Sequence, residues 1–150
     1  MPFLTNKTYD EVQVGDSAYI ERQLTKEDIT NFAMVSSDCN PAHVDPEYAK
    51  ETFFKQVIGH GMWSGSLISA VIGTKLPGPG SIYISQSFSF KGPVYVGDVI
   101  RAEVTIKQKN EKNRIILDCK CTNQKGEVVL TGEAEASAPK KKFAKEVVIS

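Results

Sequence analysis

From residue 82 to residue 137, apolar and polar residues alternate in four successive runs. Ile82, Ile84, Phe88 and Phe90 share one parity in the first run. Ile100, Ala102, Val104 and Ile106 follow the Gly97-Asp98 turn. Ile115, Leu117, Cys119 and Cys121 come after the polar NEKNR segment, and Val128, Leu130, Gly132, Ala134 and Ala136 after Asn123 to Gly126. A period of two predicts strands with one face on a core. Breaks this short permit antiparallel hairpins and exclude helical crossovers. Ala18, Ile20 and Leu24 keep the same period after the Val14-Gly15-Asp16 turn, which predicts a further strand over Ser17 to Leu24.

The pattern between these regions is helical. Thr25 and Asp28 form a T-x-x-D capping box ahead of Ile29, Phe32, Ala33 and Ser36, which fall on one helical face. Asp45 is placed as an N-cap with Pro46 at the first position of a short helix reaching about Thr52. Gly61 to Leu76, GMWSGSLISAVIGTKL, carries one charge and stops at Pro77-Gly78-Pro79-Gly80. As a helix it is about 24 Å long at 1.5 Å per residue. Its large residues point in several directions, and Gly65, Ser66, Ser69 and Ala70 allow close packing elsewhere, so burial nearly all round is expected. One apolar helix and about five antiparallel strands with a single apolar face predict an α+β hotdog fold, the sheet curled around the helix. One domain is expected over residues 1–150, with the lysine-bearing segment 139–150 a solvated extension or an added edge strand. An open sheet edge needs cover, which predicts a homodimer.

Composition narrows the partners. Eighteen basic and eighteen acidic residues cancel, which removes the electrostatic footprint of a nucleic-acid binder. No apolar run approaches the roughly 18 residues of a membrane span, and the start, MPFLTNKTYDEV, has no secretory pattern. Cys39, Cys119 and Cys121 are an odd, unpatterned set that reads as reduced thiols in the cytoplasm. Cys119-x-Cys121 with only two histidines elsewhere is poor evidence for zinc, so no metal site is expected.

The densest chemistry is DCNPAHVDP at residues 38–46. Near neutrality an ordinary carboxylate and an ordinary imidazole both accept protons, so Asp38 and His43 together could hold a water and deprotonate it. Equally, Asp38 and Asn40 could cap turns while His43 satisfies a backbone carbonyl. A second feature is His60-Gly61-Met62, which opens the apolar helix. The unpaired N–H groups of a helix start can stabilise a developing oxyanion, or Gly61 could simply permit tight entry.

DCNPAHVDPEYA, VIGHGMWSGSLIS and LPGPGSIYISQSFSFKGPVYVGD resemble the MaoC-like hydratases, and among them the (R)-specific enoyl-CoA hydratases, over about Val14 to Gly132. The resemblance implies that Asp38 and His43 activate the water added to a trans-2-enoyl thioester and that Gly61 offers its N–H to the thioester oxygen. It further implies that Ser69 lies near the reacting centre and that Asn40 fixes the loop. The substrate would be an acyl-CoA or acyl-carrier-protein thioester, with no cofactor beyond the coenzyme A it carries. Two positions depart from the family pattern: Ser37 stands where glycine is common, and Ala42 where Leu or Ile is common. A hotdog acyl-CoA thioesterase and a non-catalytic acyl-thioester or carrier-binding module remain alternatives. If the indole of Trp63 projects into the acyl tunnel, the substrate should be short, of the crotonyl type.

Overall fold

An apolar helix and four alternating runs leave few ways to exclude water, and the computed structural model, which describes residues 1–150, shows the one taken. In chain order the elements are β1 (Phe3–Thr5), β2 (Ser17–Gln23), α1 (Lys26–Ser36), α2 (Pro41–Val44), α3 (Pro46–Lys50) and α4 (Gly61–Thr74). They continue with β3 (Ile82–Phe90), β4 (Val99–Lys109), β5 (Arg114–Thr122), β6 (Val128–Ser137) and β7 (Ala144–Glu146). Five strands make one antiparallel sheet in the order β2-β4-β5-β6-β3. Helix α4 lies against β4 and its neighbours β2 and β5.

The alternation does what its period requires. Ile100, Ala102, Val104 and Ile106 of β4 and Ile115, Leu117, Cys119 and Cys121 of β5 are all buried. They share one core with Leu67, Ile68, Val71 and Ile72 of α4, each large aliphatic contributing about 1.5–3 kcal/mol on full burial. Helix α1 begins as its capping box dictates: Thr25 Oγ1 accepts the Asp28 N–H at 3.0 Å, and the Asp28 carboxylate accepts the Thr25 N–H at 3.2 Å. Burial works to raise the Asp28 carboxyl, but the bonds from Arg22 and Thr25 outweigh it and hold it below the usual carboxylate range.

Four expectations are corrected. The even parity of β3 holds at Gln86, Phe88 and Phe90 but not at Ile82 and Ile84, because an irregularity between Tyr83 and Ser85 shifts the register there. Tyr83, Gln86 and Phe88 therefore oppose the inward residues Ala136, Ala134 and Gly132, while Ile82 and Ile84 are exposed. Next, β3 and β4 do not form a hairpin. β3 lies beside β6 at the far edge, so residues 91–98 must cross the open end of the sheet. Helix α4 is not buried all round: Met62, Ser66, Ser69 and Gly73 are exposed, because one sheet covers only the side bearing Leu67, Ile68, Val71 and Ile72. Finally, the C-terminal segment is largely exposed but adds no edge strand to the main sheet. β7 pairs with β1 as a separate two-stranded ribbon. The buried Asn6 side chain secures it, donating to the carbonyls of Pro79 and Lys141 and accepting the Phe143 N–H.

The tightest backbone approach in the sheet is at Gly132 of β6. A Cβ built there would lie 2.0 Å from the Ser87 carbonyl oxygen of β3, and backbone cannot yield as a side-chain tip can. Gly132→Ala should therefore destabilise the chain by about 1–3 kcal/mol or more, as forced overpacking does. Urea unfolding would show a lowered midpoint, and an unchanged midpoint would mean the two strands can separate freely at this point.

Candidate active site

The loop carrying Asp38 is shaped by short-range bonds that its own residue types supply. Helix α1 ends at Ser37, which adopts a left-handed conformation with φ of 67°. Ser36 Oγ accepts the Asp38 N–H at 3.1 Å, and the Asp38 carboxylate accepts the Asn40 N–H at 3.2 Å. Asn40 Oδ1 then accepts the Ala42 N–H at 3.0 Å and caps α2, with Pro41 at its first position. The segment between α1 and α3 thus contains one helical turn, and that turn carries His43. Asn40 itself does not line the cavity described below.

His43 Nδ1 lies 2.7 Å from the Ile58 carbonyl. A carbonyl only accepts, so Nδ1 carries the proton and Nε2 is left as a lone pair. Ile58 is held in turn: it bridges to Tyr95, and the Gly59 N–H donates to the Val94 carbonyl at 2.8 Å. This is where the crossing segment 91–98 enters the site. A carboxylate oxygen of Asp38 and a ring nitrogen of His43 lie within 4.8 Å of each other. One water making two hydrogen bonds of about 2.8 Å at a tetrahedral angle spans roughly 4.6 Å, so a single molecule can bridge the pair.

Both residues line a cavity of ≈ 640 Å³ together with Gly61, within the usual size of small-molecule sites. Phe53, Ile58, Phe90, Val94 and Val129 give it apolar walls. The Gly61 N–H has no acceptor within the chain, as the first turn of a helix leaves it. A Cβ at Gly61 would lie 2.7 Å from the Phe90 ring, so glycine here also admits that ring.

Two residues not singled out from sequence belong to this wall. His60 is buried, its ring stacked on that of His43 at 4.0 Å between centroids, and its Nε2 lies 2.9 Å from the Asp38 carbonyl. Ser64, one turn beyond Gly61, is buried with its hydroxyl unpaired. His60 was marked only as part of the His60-Gly61-Met62 motif, with no role given to it, and nothing in the sequence sets Ser64 apart from the other small residues of α4. Two other expected site residues are not brought here. Ser69 sits on the exposed face of α4 and does not line the cavity. Trp63, expected as a wall of the acyl tunnel, is buried in the hydrophobic core instead. Successive residues of one helical turn point to different sides, so the residue after Met62 turns inward as Gly61 faces the cavity.

Asp38, His43 and His60 offer three ligand-type atoms within 4.8 Å of one another, and since a nitrogen of each imidazole faces a backbone carbonyl, each ring has one nitrogen left to offer. No cysteine belongs to this group. All three cysteines are free, and burial pushes the Cys119 thiol up to about 11 and the Cys121 thiol up to about 12.

A five-stranded antiparallel sheet on one long apolar helix, with a cavity opening beside the start of that helix, defines a hotdog-fold protein. More narrowly, the chain belongs to the MaoC-like family, whose domain model, "MaoC like domain", matches residues 12–127. It is 45% identical over 132 residues to the (R)-specific enoyl-CoA hydratase of Rhodospirillum rubrum, covering 87% of this chain and 91% of that protein. It is 38% identical over 145 residues to the 3-hydroxybutyryl-CoA dehydratase of Methylorubrum extorquens, covering 96% of this chain and 92% of the relative. Among solved structures, the unliganded R-hydratase PhaJ1 from Pseudomonas aeruginosa is similar with a TM-score of 0.95 and 42% identity, over 99% of this chain and 96% of that one.

The positive φ at Ser37 gives a physical reason for the glycine common at this position in the family. A left-handed conformation costs an L-residue about 1–2 kcal/mol, and glycine escapes it. Ser37→Gly should accordingly raise stability by up to about 1 kcal/mol after glycine's larger chain entropy is subtracted. Thermal unfolding of the two proteins measures it, and a lower melting temperature in the variant would show that the serine is not strained.

Proposed function

We propose that this protein is an (R)-specific enoyl-CoA hydratase, adding water reversibly to a trans-2-enoyl-CoA to give a (3R)-3-hydroxyacyl-CoA. The names of the two relatives, a hydratase and a dehydratase, describe the two directions of such a reaction. The observation that carries the reading is the convergence on one cavity of a carboxylate, an imidazole with its Nε2 lone pair free, and an unpaired helix-start N–H.

The mechanism follows from what each group can do. A water bridged between Asp38 and His43 loses a proton to the pair as its oxygen attacks C3. Electron density moves through C2 to the thioester oxygen, which the Gly61 N–H receives. C2 then takes a proton from the same pair, so the balance is one water added across one double bond. Asp38 and His43 stand in the same wall, which delivers water to one face of the alkene and accounts for a single stereochemical product. Asn40 serves by holding the loop. This addition needs no metal or redox cofactor. The partner is an acyl thioester carried on coenzyme A or an acyl carrier protein. No helix is long and apolar enough to cross a membrane, and three free thiols suit the reducing cytoplasm.

Purified protein should remove the conjugated double bond of crotonyl-CoA without releasing free thiol. Thiol release would move the assignment to a thioesterase, and no turnover to a binding module. Asp38→Asn should keep the fold and lose about 10²- to 10⁴-fold in kcat. His43→Ala should lose a comparable factor, and the double variant should be scarcely worse than either single, since groups acting on one water are non-additive. Strictly multiplicative losses would sink the shared-water mechanism.

The working unit is a homodimer. Ile82 and Ile84 on the edge strand β3, with Phe90 and the neighbouring Met62, expose 41–60% of their surfaces. An apolar unpaired edge of this kind is covered by pairing with another copy. Sedimentation velocity at micromolar concentration should give a dimer, and charged substitutions at Ile82 and Ile84 should yield monomer. A fully active wild-type monomer would contradict it.

A further inference from the structure

We propose that His60 is a positioning residue of the hydration, a single buried imidazole that fixes the main chain at Asp38 and supports the ring of His43. The proposal rests on the hydratase reading and adds to it a residue that acts through the Asp38 main chain and the His43 ring.

His60 is 2% exposed. It stands at the N-cap of α4 but makes no side-chain capping bond, so the position is not being used for the task that ordinarily selects polar residues there. Its Nε2 faces the Asp38 carbonyl at 2.9 Å. That oxygen can only accept, so Nε2 carries the hydrogen and Nδ1 is left with a lone pair. Nδ1 has no partner and is fully buried. An unpaired buried nitrogen is a net cost to folding, one that phenylalanine or leucine at this position would avoid. What histidine supplies in return is the Nε2–H bond that fixes the Asp38 main chain. The ring packs against Phe32 at 4.9 Å and against His43 at 4.0 Å with 30° between planes. One rigid group thus sets the height of the Asp38 backbone and the tilt of His43 together. The two histidines are opposite tautomers: Nδ1–H in His43, bonded to Ile58, and Nε2–H in His60, bonded to Asp38.

The chain has only two histidines, so ¹⁵N-detected NMR of the native protein resolves both. His60 should show the Nε2–H form and His43 the Nδ1–H form, and His60 found as Nδ1–H overturns the proposal whether or not the protein turns over enoyl-CoA. Kinetics separate donor from stack. His60→Phe keeps a flat ring and removes the donor. Its kcat on crotonyl-CoA should fall roughly 10²-fold, the penalty of a small misplacement, with KM within about twofold. His60→Gln restores an N–H that can reach the Asp38 carbonyl and should recover part of that loss. A native kcat in His60→Phe, a change confined to KM, or a His60→Gln variant no better than His60→Phe would overturn the role. If His60→Phe does not fold, the tautomers and the His60→Gln rate against wild type decide. A wild type without hydratase activity would refute the hydratase reading, and with it the positioning role, even if the tautomers are as expected.

Discussion

The constraint on which everything else depends is that α4 is too apolar to meet water on the side bearing Leu67, Ile68, Val71 and Ile72. A sheet has to be laid against that side, and three strands of alternating parity supply the matching surface. The helix start is then carried to the end of the sheet, where its unpaired N–H groups cannot be satisfied by the core. The cavity forms there because the packing stops there. The crossing segment 91–98 closes one side of it, pinned to Ile58 and Gly59 by backbone bonds.

Much of this was legible in the sequence because it depends on local pattern. The capping box at Thr25 and Asp28 formed as written, as did the Asp45 cap with Pro46 behind it. The inward parity of β4 and β5 held residue for residue. What could not be read depends on partners distant in the chain. One extra residue in β3 reverses the parity of Ile82 and Ile84, and nothing in the run SIYISQSFSF announces it. Short links suggested hairpins throughout, yet strand order is set by which edges remain free, and β3 took the edge beside β6.

The site divides in the same way. Asp38, His43 and Gly61 stood out because residue type and spacing suggest their chemistry, and all three line one cavity. Trp63 and Ser69 were misplaced because a helix turns about 100° per residue, and which of its sides faces the cavity is decided by the sheet. His60 was passed over because its contacts, with Asp38 twenty-two positions away and the His43 ring, exist only after folding. The strained Ser37 marks the reverse case: a departure from the family pattern whose meaning appears only with its φ angle.

The distribution of sulfur has a practical corollary. Cys119 and Cys121 are buried against the helix, and burial raises both thiols far above neutrality, so neither presents a thiolate to a reagent in solution. Cys39 is exposed and adjoins Asp38. The native protein thus carries a single attachment point for a maleimide-linked fluorophore or spin label, on the cavity-lining loop that bears Asp38. Motion of that loop during turnover can be followed without mutating a residue.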